Sequence, residues 1–433
     1  MPGELNDRIQ DLVKFAYEEL HKSYDFVPGE TPIPATGKVF GRPELENAVR
    51  ASLDFWLTAG PYTEKFEKSI ANIVGMRSAL MVNSGSSANL LAISSLTSTK
   101  LGDDALNPGD EVITVAAGFP TTVSPLLQNG LVPVYVDIDL ETYVCNDDAL
   151  EEAISPRTKA IMMAHTLGNP FNLELVQSIA KKHNLWLIED SCDALGGTYM
   201  GNNLGSFGDL STLSFYPAHH ITTGEGGAVL IKNAKLKPIV ESYRDWGRDC
   251  WCPPGIENTC QKRYEHQLGQ LPYGYDHKYT YSHVGYNLKS GDIQASIGLA
   301  QLDRLPIFTA ARKSHWEYLY KELSELSDLL ILPRATDQSD PSWFGFAVTV
   351  NSSSKKSRNE IVRELNSRKI GTRLLFGGNL LRQPAFQGKP KRVIGDLKNT
   401  DRVTNDTFWI GVWPGLTQAM LEYMSSSLKE ILK

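Results

Sequence analysis

Between Ser78 and Ile231 seven short apolar runs punctuate the chain: Ser78–Asn83 (SALMVN), Glu111–Val115 (EVITV), Val132–Val136 (VPVYV), Lys159–Ala164 (KAIMMA), Leu185–Asp190 (LWLIED), Leu210–Phe215 (LSTLSF) and Gly227–Ile231 (GAVLI). Helical patterns such as Ser86–Leu96 and Leu173–His183 separate several of them. Apolar strands spaced by helices predict a buried, mostly parallel sheet covered on both faces, the α/β class. Such sheets bind ligands beyond the carboxyl ends of their strands. The loops that follow these runs are therefore where chemistry belongs. From Asp292 a helical pattern continues to about Leu326, with a break expected at Pro306. A strand at Phe344–Val350 and helices at Ser354–Arg368 and Leu416–Leu432 then predict a smaller α+β unit. This divides the chain into an N-terminal arm (1–40), a large domain (41–305) and a small C-terminal domain (306–433). Residues 250–281, rich in Tyr, Gly, Pro and Cys, read as a long functional loop inside the large domain.

The 433 residues suffice for a large core without disulfides. With 43 basic and 50 acidic residues the net charge is −7, and no Lys/Arg block stands out, which argues against a nucleic-acid partner. Met1–Lys22 reads as an amphipathic helix of mixed charge without the apolar stretch of a signal peptide. No run approaches the roughly 18–20 apolar residues of a membrane span. The expectation is a cytoplasmic protein with no membrane partner. The cysteines are the odd feature: five in all, three of them at Cys250, Cys252 and Cys260. An odd number argues against a disulfide framework.

Three constellations sit at strand ends. Asn83-Ser84-Gly85-Ser86-Ser87-Ala88-Asn89 joins a strand to a helix, where free N–H groups and hydroxyls suit a phosphate; an N-cap serine on a tight turn reads equally well. It is neither a Walker A loop nor GxGxxG. Asp190 ends its strand and could pair with a protonated pyridine nitrogen, or simply cap a helix or form a salt bridge. The stretch Ser214-Phe215-Tyr216-Pro217-Ala218-His219-His220-Ile221-Thr222-Thr223-Gly224-Glu225-Gly226-Gly227 leaves one strand and returns through a glycine-rich turn into the next.

In this order, together with Phe55-Trp56-Leu57-Thr58-Ala59-Gly60-Pro61, His165-Thr166-Leu167-Gly168-Asn169-Pro170, Gly285-Tyr286-Asn287-Leu288-Lys289 and Asp292-Ile293-Gln294-Ala295, the motifs resemble the DegT/DnrJ-type sugar aminotransferases. The resemblance covers most of the chain. It implies the aspartate aminotransferase fold (pyridoxal phosphate fold type I), with a mostly parallel seven-stranded sheet and a small α+β domain. Members of that family carry a lysine where His219 stands, and it holds pyridoxal phosphate (PLP) as a Schiff base. No lysine lies between Ser214 and Gly227. A histidine cannot form that bond, so the resemblance implies pyridoxamine 5′-phosphate (PMP) held non-covalently, with His219 as a general base. A loop histidine, with Lys289 holding the cofactor instead, is the alternative. The same resemblance places Gly85, Ser86 and Ser214 at the phosphate, Phe119 on the cofactor ring and Asp190 at the ring nitrogen. It has Asn287 reaching the phosphate from the neighbouring subunit of a homodimer. Asp193 stands where relatives often have His or Gln near the ring hydroxyl. His220 is not matched to the lysine.

The His-for-Lys exchange resembles the PMP-dependent nucleotide-sugar 3-dehydrases, of which two types are known. One acts on GDP-4-keto-6-deoxymannose, uses glutamate to regenerate PMP and has no metal. The other acts on CDP-4-keto-6-deoxyglucose and carries a [2Fe–2S] cluster. Cys192, Cys250, Cys252 and Cys260 stand as C-x57-C-x-C-x7-C, similar to the second type. Four thiolates suit such a cluster; structural zinc on four cysteines and scattered buried cysteines are the rival readings. Cys145 reads as a packing residue. The resemblance thus implies loss of the C3 hydroxyl of CDP-4-keto-6-deoxyglucose in 3,6-dideoxysugar biosynthesis. Electrons would arrive one at a time from an NADH-dependent flavin/iron–sulfur reductase. A PMP-binding sensor without catalysis is the reading of another class.

Overall fold

A computed structural model describes residues 3–22 and 25–433. The helix expected over Met1–Lys22 appears as α1 (Gly3–Leu20), with Met1 and Pro2 outside the described residues, and α2 (Arg42–Asp54) follows it.

All seven expected runs form strands: β1 (Ser78–Val82), β2 (Glu111–Val115), β3 (Val132–Val136), β4 (Thr158–Ala164), β5 (Trp186–Asp190), β6 (Leu210–Ser214) and β7 (Gly227–Ile231). They lie in the order β1-β7-β6-β5-β4-β2-β3, and only β7 runs against the rest. This is the α/β architecture of the aspartate aminotransferase fold. Successive residues of one strand feed opposite cores. In β4, Ala160 and Met162 join one apolar cluster while Ile161 and Met163 join the other, as the two-residue period of a strand buried on both faces requires. Leu173, Val176 and Ile179 of α6 (Leu173–Lys182) cover the face of Ile161 and Met163. The other is covered by Leu91 of α4 (Gly85–Leu96), Leu126 of α5 (Pro120–Gln128) and Val240 of α7 (Lys237–Arg244).

The sheet has an eighth member that the sequence pattern does not announce. Arg392–Val393 pairs in parallel with β3 at the sheet edge. Glu111, buried at the start of β2, accepts from Arg392 Nη2 (2.7 Å), Arg157 Nη2 (2.6 Å) and Ser155 Oγ (2.7 Å), which ties this strand in place.

The smaller, four-stranded sheet is antiparallel and is built on Gly345–Val350 and Thr407–Gly411, flanked by Leu330–Ile331 and Thr372–Arg373. The expected break at Pro306 is absent: α8 runs from Asp292 to Leu323 through it. Pro306 lies on the exposed side of α8. Leu302, Leu305 and Phe308 dock this stretch of α8 on the core on either side of it, which offsets the one hydrogen bond that an internal proline removes. Residues 250–281 contain, as regular structure, only one turn of 3-10 helix (His277–Tyr279). The motifs at Gly60-Pro61 and Asp292 meet structurally. Asp292 accepts from the N–H groups of Gly60, Tyr62 and Thr63 and from the Thr63 hydroxyl, capping α3 (Pro61–Val74). No helix of the described residues is long and apolar enough to cross a membrane.

Candidate active site

A cavity of about 350 Å³ opens at the carboxyl ends of β1, β4, β5 and β6. Gly85, Ser86, Phe119, Asp190, Cys192, Ser214 and His219 line it, together with Asp193, Thr121, Phe344 and Phe376.

One end is an anion cradle. Ser84 caps α4 by accepting from the Ser87 N–H (3.1 Å), while the N–H groups of Gly85 and Ser86 have no acceptor among the described residues. Ser86 and Thr121 approach hydroxyl to hydroxyl at 3.3 Å. A side chain at position 85 would not fit: a Cβ there would lie 2.5 Å from Ser214 Cβ and 3.1 Å from Cys192 Sγ. Free N–H groups at a helix start, the positive end of its dipole and three hydroxyls are a phosphate's natural partners.

Asp190 stands deeper, buried at the end of β5. Its Oδ2 accepts from Asn89 Nδ2 (2.8 Å) and Thr122 Oγ1 (2.7 Å), whereas Oδ1 has only long contacts with Cys192 N (3.3 Å) and Thr212 Oγ1 (3.5 Å). That oxygen keeps acceptor capacity for a donor from the cavity, and a protonated ring nitrogen is such a donor. Its neighbour Glu189 serves the fold instead. It accepts from the N–H groups of Gly205, Phe207 and Gly208 and from His165 Nε2. Phe119 is half exposed and meets Phe376 edge to face (centroids 5.9 Å), leaving a flat face toward the cavity.

His219 sits in the loop after β6. Its N–H donates to Tyr216 O (2.9 Å) and its ring stacks on Phe344 (centroids 5.2 Å). Nδ1 lies 3.3 Å from Asp193 Oδ1, close but not aligned for a hydrogen bond. His220 points away: its Nε2–H donates to Ser342 O (2.7 Å), and burial, then the Arg312 cation, pushes its pKa well below the usual value. Lys289 does not line the cavity. Its Nζ lies 3.5 Å over the Trp246 ring and 3.4 Å from Asp245 Oδ1, and burial pulls its pKa down. Asn287 is exposed and lies outside the cavity.

His220 makes stability depend on acidity. Its folded pKa is depressed, so below about pH 6.5 the unfolded chain takes up a proton that the native state refuses. Stability is unaffected above that pH. It should fall on acidification by about 1.4 kcal/mol per pH unit from this residue while it stays neutral in the fold. Thermal melts at about pH 7.5 and about pH 5.5 should show the loss, and His220→Gln, which keeps a donor for Ser342, should flatten it.

The four cysteines that the resemblance assigns to a cluster line two different recesses. Cys250, Cys252 and Cys260 line one recess with His277, while Cys192 lines the cofactor-sized cavity. Cys192 is therefore not in the recess that the other three line. The pattern gives the order of the cysteines, not where the irregular 250–281 segment carries them. Burial raises the Cys250 thiol; burial also raises Cys252, but the Thr259 hydroxyl and nearby backbone N–H groups outweigh it and hold Cys252 below the usual value. Burial, then the Asp190 carboxylate, pushes Cys192 well up. Ligand atoms of Cys260, His266 and His277 lie within 4.8 Å of one another. Cys145 is buried in the core beside β3 and β4.

Asn89, Thr121, Thr122, Phe344 and Phe376 also line the site, although the sequence assigns none of them an individual role there. Thr121 and Thr122 follow the Phe119-Pro120 pair, and Asn89 lies one turn into α4, a spacing that places it over the β5 end. Phe344 and Phe376 come from the far half of the chain and carry no local signal.

Residues 41–429 match the DegT/DnrJ/EryC1/StrS aminotransferase family. The chain is 56% identical over 428 residues to the lipopolysaccharide biosynthesis protein RfbH of Salmonella typhimurium, covering 99% of this chain and 98% of that protein. It is 53% identical over 432 residues to the dTDP-4-dehydro-2,6-dideoxy-D-glucose 3-dehydratase of Saccharopolyspora spinosa, covering 100% and 93%. Among solved structures it resembles the E. coli GDP-4-keto-6-deoxy-D-mannose-3-dehydratase with bound hydrated PLP, at a TM-score of 0.83 and 28% identity, covering 92% of this chain and 99% of that one.

Proposed function

The chain belongs to the DegT/DnrJ/EryC1/StrS aminotransferase family, and we propose that it is a PMP-dependent 3-dehydrase of a nucleotide-linked 4-keto-6-deoxyhexose. The observation that carries this reading is His219 in a cavity that no lysine among the described residues lines. Such a cavity suits a cofactor that brings its own amine, and relatives of this chain bear the name 3-dehydratase.

The cradle, the carboxylate and the exposed aromatic face fit PMP, which when bound supplies its 4′-amine and a ring able to accept electrons. On this reading Gly85, Ser86 and Ser214 hold the phosphate, and Phe119 covers one ring face. The Asp190 carboxylate keeps the ring nitrogen protonated. His219 takes the proton at C4′ while the C3 hydroxyl leaves. The placement of His219 against the Phe344 ring and beside Asp193 supports that role. Asn287 reaches the phosphate of a partner subunit in a cytoplasmic homodimer. The division into 1–40, 41–305 and 306–433 remains part of the reading. The large and small sheets support it, although residue 306 lies inside α8 and Arg392–Val393 joins the large sheet.

The finer reading has CDP-4-keto-6-deoxyglucose as substrate, a [2Fe–2S] cluster and a flavin/iron–sulfur reductase fed by NADH. Its support is the cysteine spacing and the recess shared by Cys250, Cys252 and Cys260. The place of Cys192 in the other cavity counts against the fourth ligand. A second reading, in which glutamate regenerates PMP and the cysteines are dispensable, is favoured by likeness to a GDP-4-keto-6-deoxymannose-3-dehydratase structure with a trapped PLP–glutamate geminal diamine, at 27% identity and a TM-score of 0.81. One experiment separates them. Protein purified without oxygen is assayed for iron and acid-labile sulfide, then for consumption of CDP-4-keto-6-deoxyglucose with PMP. We expect bound iron and turnover that needs an external electron donor and falls to background in Cys250→Ser. Turnover with glutamate alone, undiminished in Cys250→Ser, would establish the second reading. No consumption under either condition would leave a PMP-binding sensor.

A further inference from the structure

Arg312, on α8, heads the fully buried side chains by size. Burial pulls its pKa down only to about 10, so it is charged at neutral pH. An enclosed cation normally has a carboxylate against it. The two terminal nitrogens of Arg312 instead turn to main-chain carbonyls: Nη1 donates to Trp343 O (3.1 Å), and Nη2 to His219 O (3.1 Å) and, at 3.5 Å, to Ala218 O. Asp193 is the carboxylate whose charge acts on it.

These carbonyls belong to the two segments that enclose the His219 imidazole. One is the loop that carries it. The other leads into Phe344, whose ring stacks on the imidazole and lies 5.8 Å from the guanidinium carbon. The Nδ1 edge of the imidazole faces Asp193, and Nε2 has no protein partner among the described residues. An apolar side chain could fill the volume of Arg312 but would leave the carbonyls unpaired and the two segments unjoined. The planar fork of a guanidinium suits several acceptors at once, which an ammonium group does not match.

We propose that Arg312 is a positioning residue for His219: by joining the carbonyls of His219 and Trp343 it fixes the imidazole between the Asp193 carboxylate and the Phe344 ring, with Nε2 left to the cavity. The inference rests on His219 being the base, so its test has one arm that needs no turnover. In protein without cofactor, amide hydrogen exchange of Arg312→Met and Arg312→Lys should quicken in residues 216–223, with the large sheet unchanged. In protein loaded with PMP and nucleotide sugar, release of the C4′ proton should slow about 10–100-fold with KM little altered, and Arg312→Lys should recover part of the rate. If Arg312→Met does not fold, Arg312→Lys decides alone. Unchanged exchange in 216–223 overturns the proposal whatever the activity. Loosening of the whole chain with parallel loss of PMP binding also overturns it, because the arginine is then merely structural. Local loosening in a protein whose wild type releases no C4′ proton leaves the positioning intact and removes the assignment of His219 as the base.

Discussion

His219→Lys should abolish 3-dehydration and turn the protein into a covalent binder of PLP. The loop geometry carries both halves of this result. The main chain at His219 is held from two sides, by its N–H on Tyr216 O and by its carbonyl on Arg312, so a new side chain starts from the same place. A lysine there enters a cavity that already has a phosphate cradle and the Asp190 carboxylate. An alkyl ammonium remains protonated near neutral pH and is a poor base. Loss of a positioned base lowers rates about 10²–10⁴-fold. Single-turnover consumption of the keto sugar checks the first half. Absorbance that survives dialysis, and becomes permanent on borohydride reduction, checks the second. Dehydration at the wild-type rate would remove His219 from the mechanism.

Asp190→Asn should lower turnover about 10²–10³-fold, the usual loss when a preorganised electrostatic partner is removed. The shape is nearly unchanged, so the effect isolates charge. Asn89 and Thr122 both donate to Oδ2, and the amide oxygen of an asparagine would turn toward them. Its NH₂ would then face the Cys192 N–H and the cavity, where Oδ1 stood. A ring nitrogen that needs an acceptor would meet a donor. PMP affinity should weaken as well, by the about 1.5–3 kcal/mol of a charge-assisted hydrogen bond. Equilibrium dialysis against PMP measures that part and single-turnover rates the rest. Unaltered affinity and rate would mean that Asp190 only caps its strand.

The sites at strand ends were legible because each is local. Ser84–Ser86, Asp190, Ser214 and His219 lie at the carboxyl ends of their own strands or just past them, and a buried parallel sheet brings those ends together whatever the loops do. The groups that tune them are not local. Asn89 and Thr122 act on Asp190 from two different helices, and Phe344, Phe376 and Arg312 come from beyond residue 300. Their residue types are ordinary in core or loop, so no pattern marks them. The fold shows the same division. Seven strands carry continuous apolar runs, but Arg392–Val393 is too short and too polar to register. Pro306 misled because Leu302, Leu305 and Phe308 dock α8 on the core around it, and that packing outweighs the one bond a proline removes. The cysteines show where spacing stops: three line one recess within one segment, and Cys192, on a different element, lines another cavity.

The late arrival of Arg392–Val393 has a consequence for synthesis. As the chain leaves the ribosome, β3 emerges early and its outer edge has no neighbour until nearly the whole sequence has followed. Throughout that time the nascent protein carries an open strand edge, Val-Pro-Val-Tyr-Val, of the kind that recruits other chains. Pro133 within it withholds one main-chain donor and so blunts the edge. Messages cut short before residue 392 would then yield products that clump rather than merely lose activity.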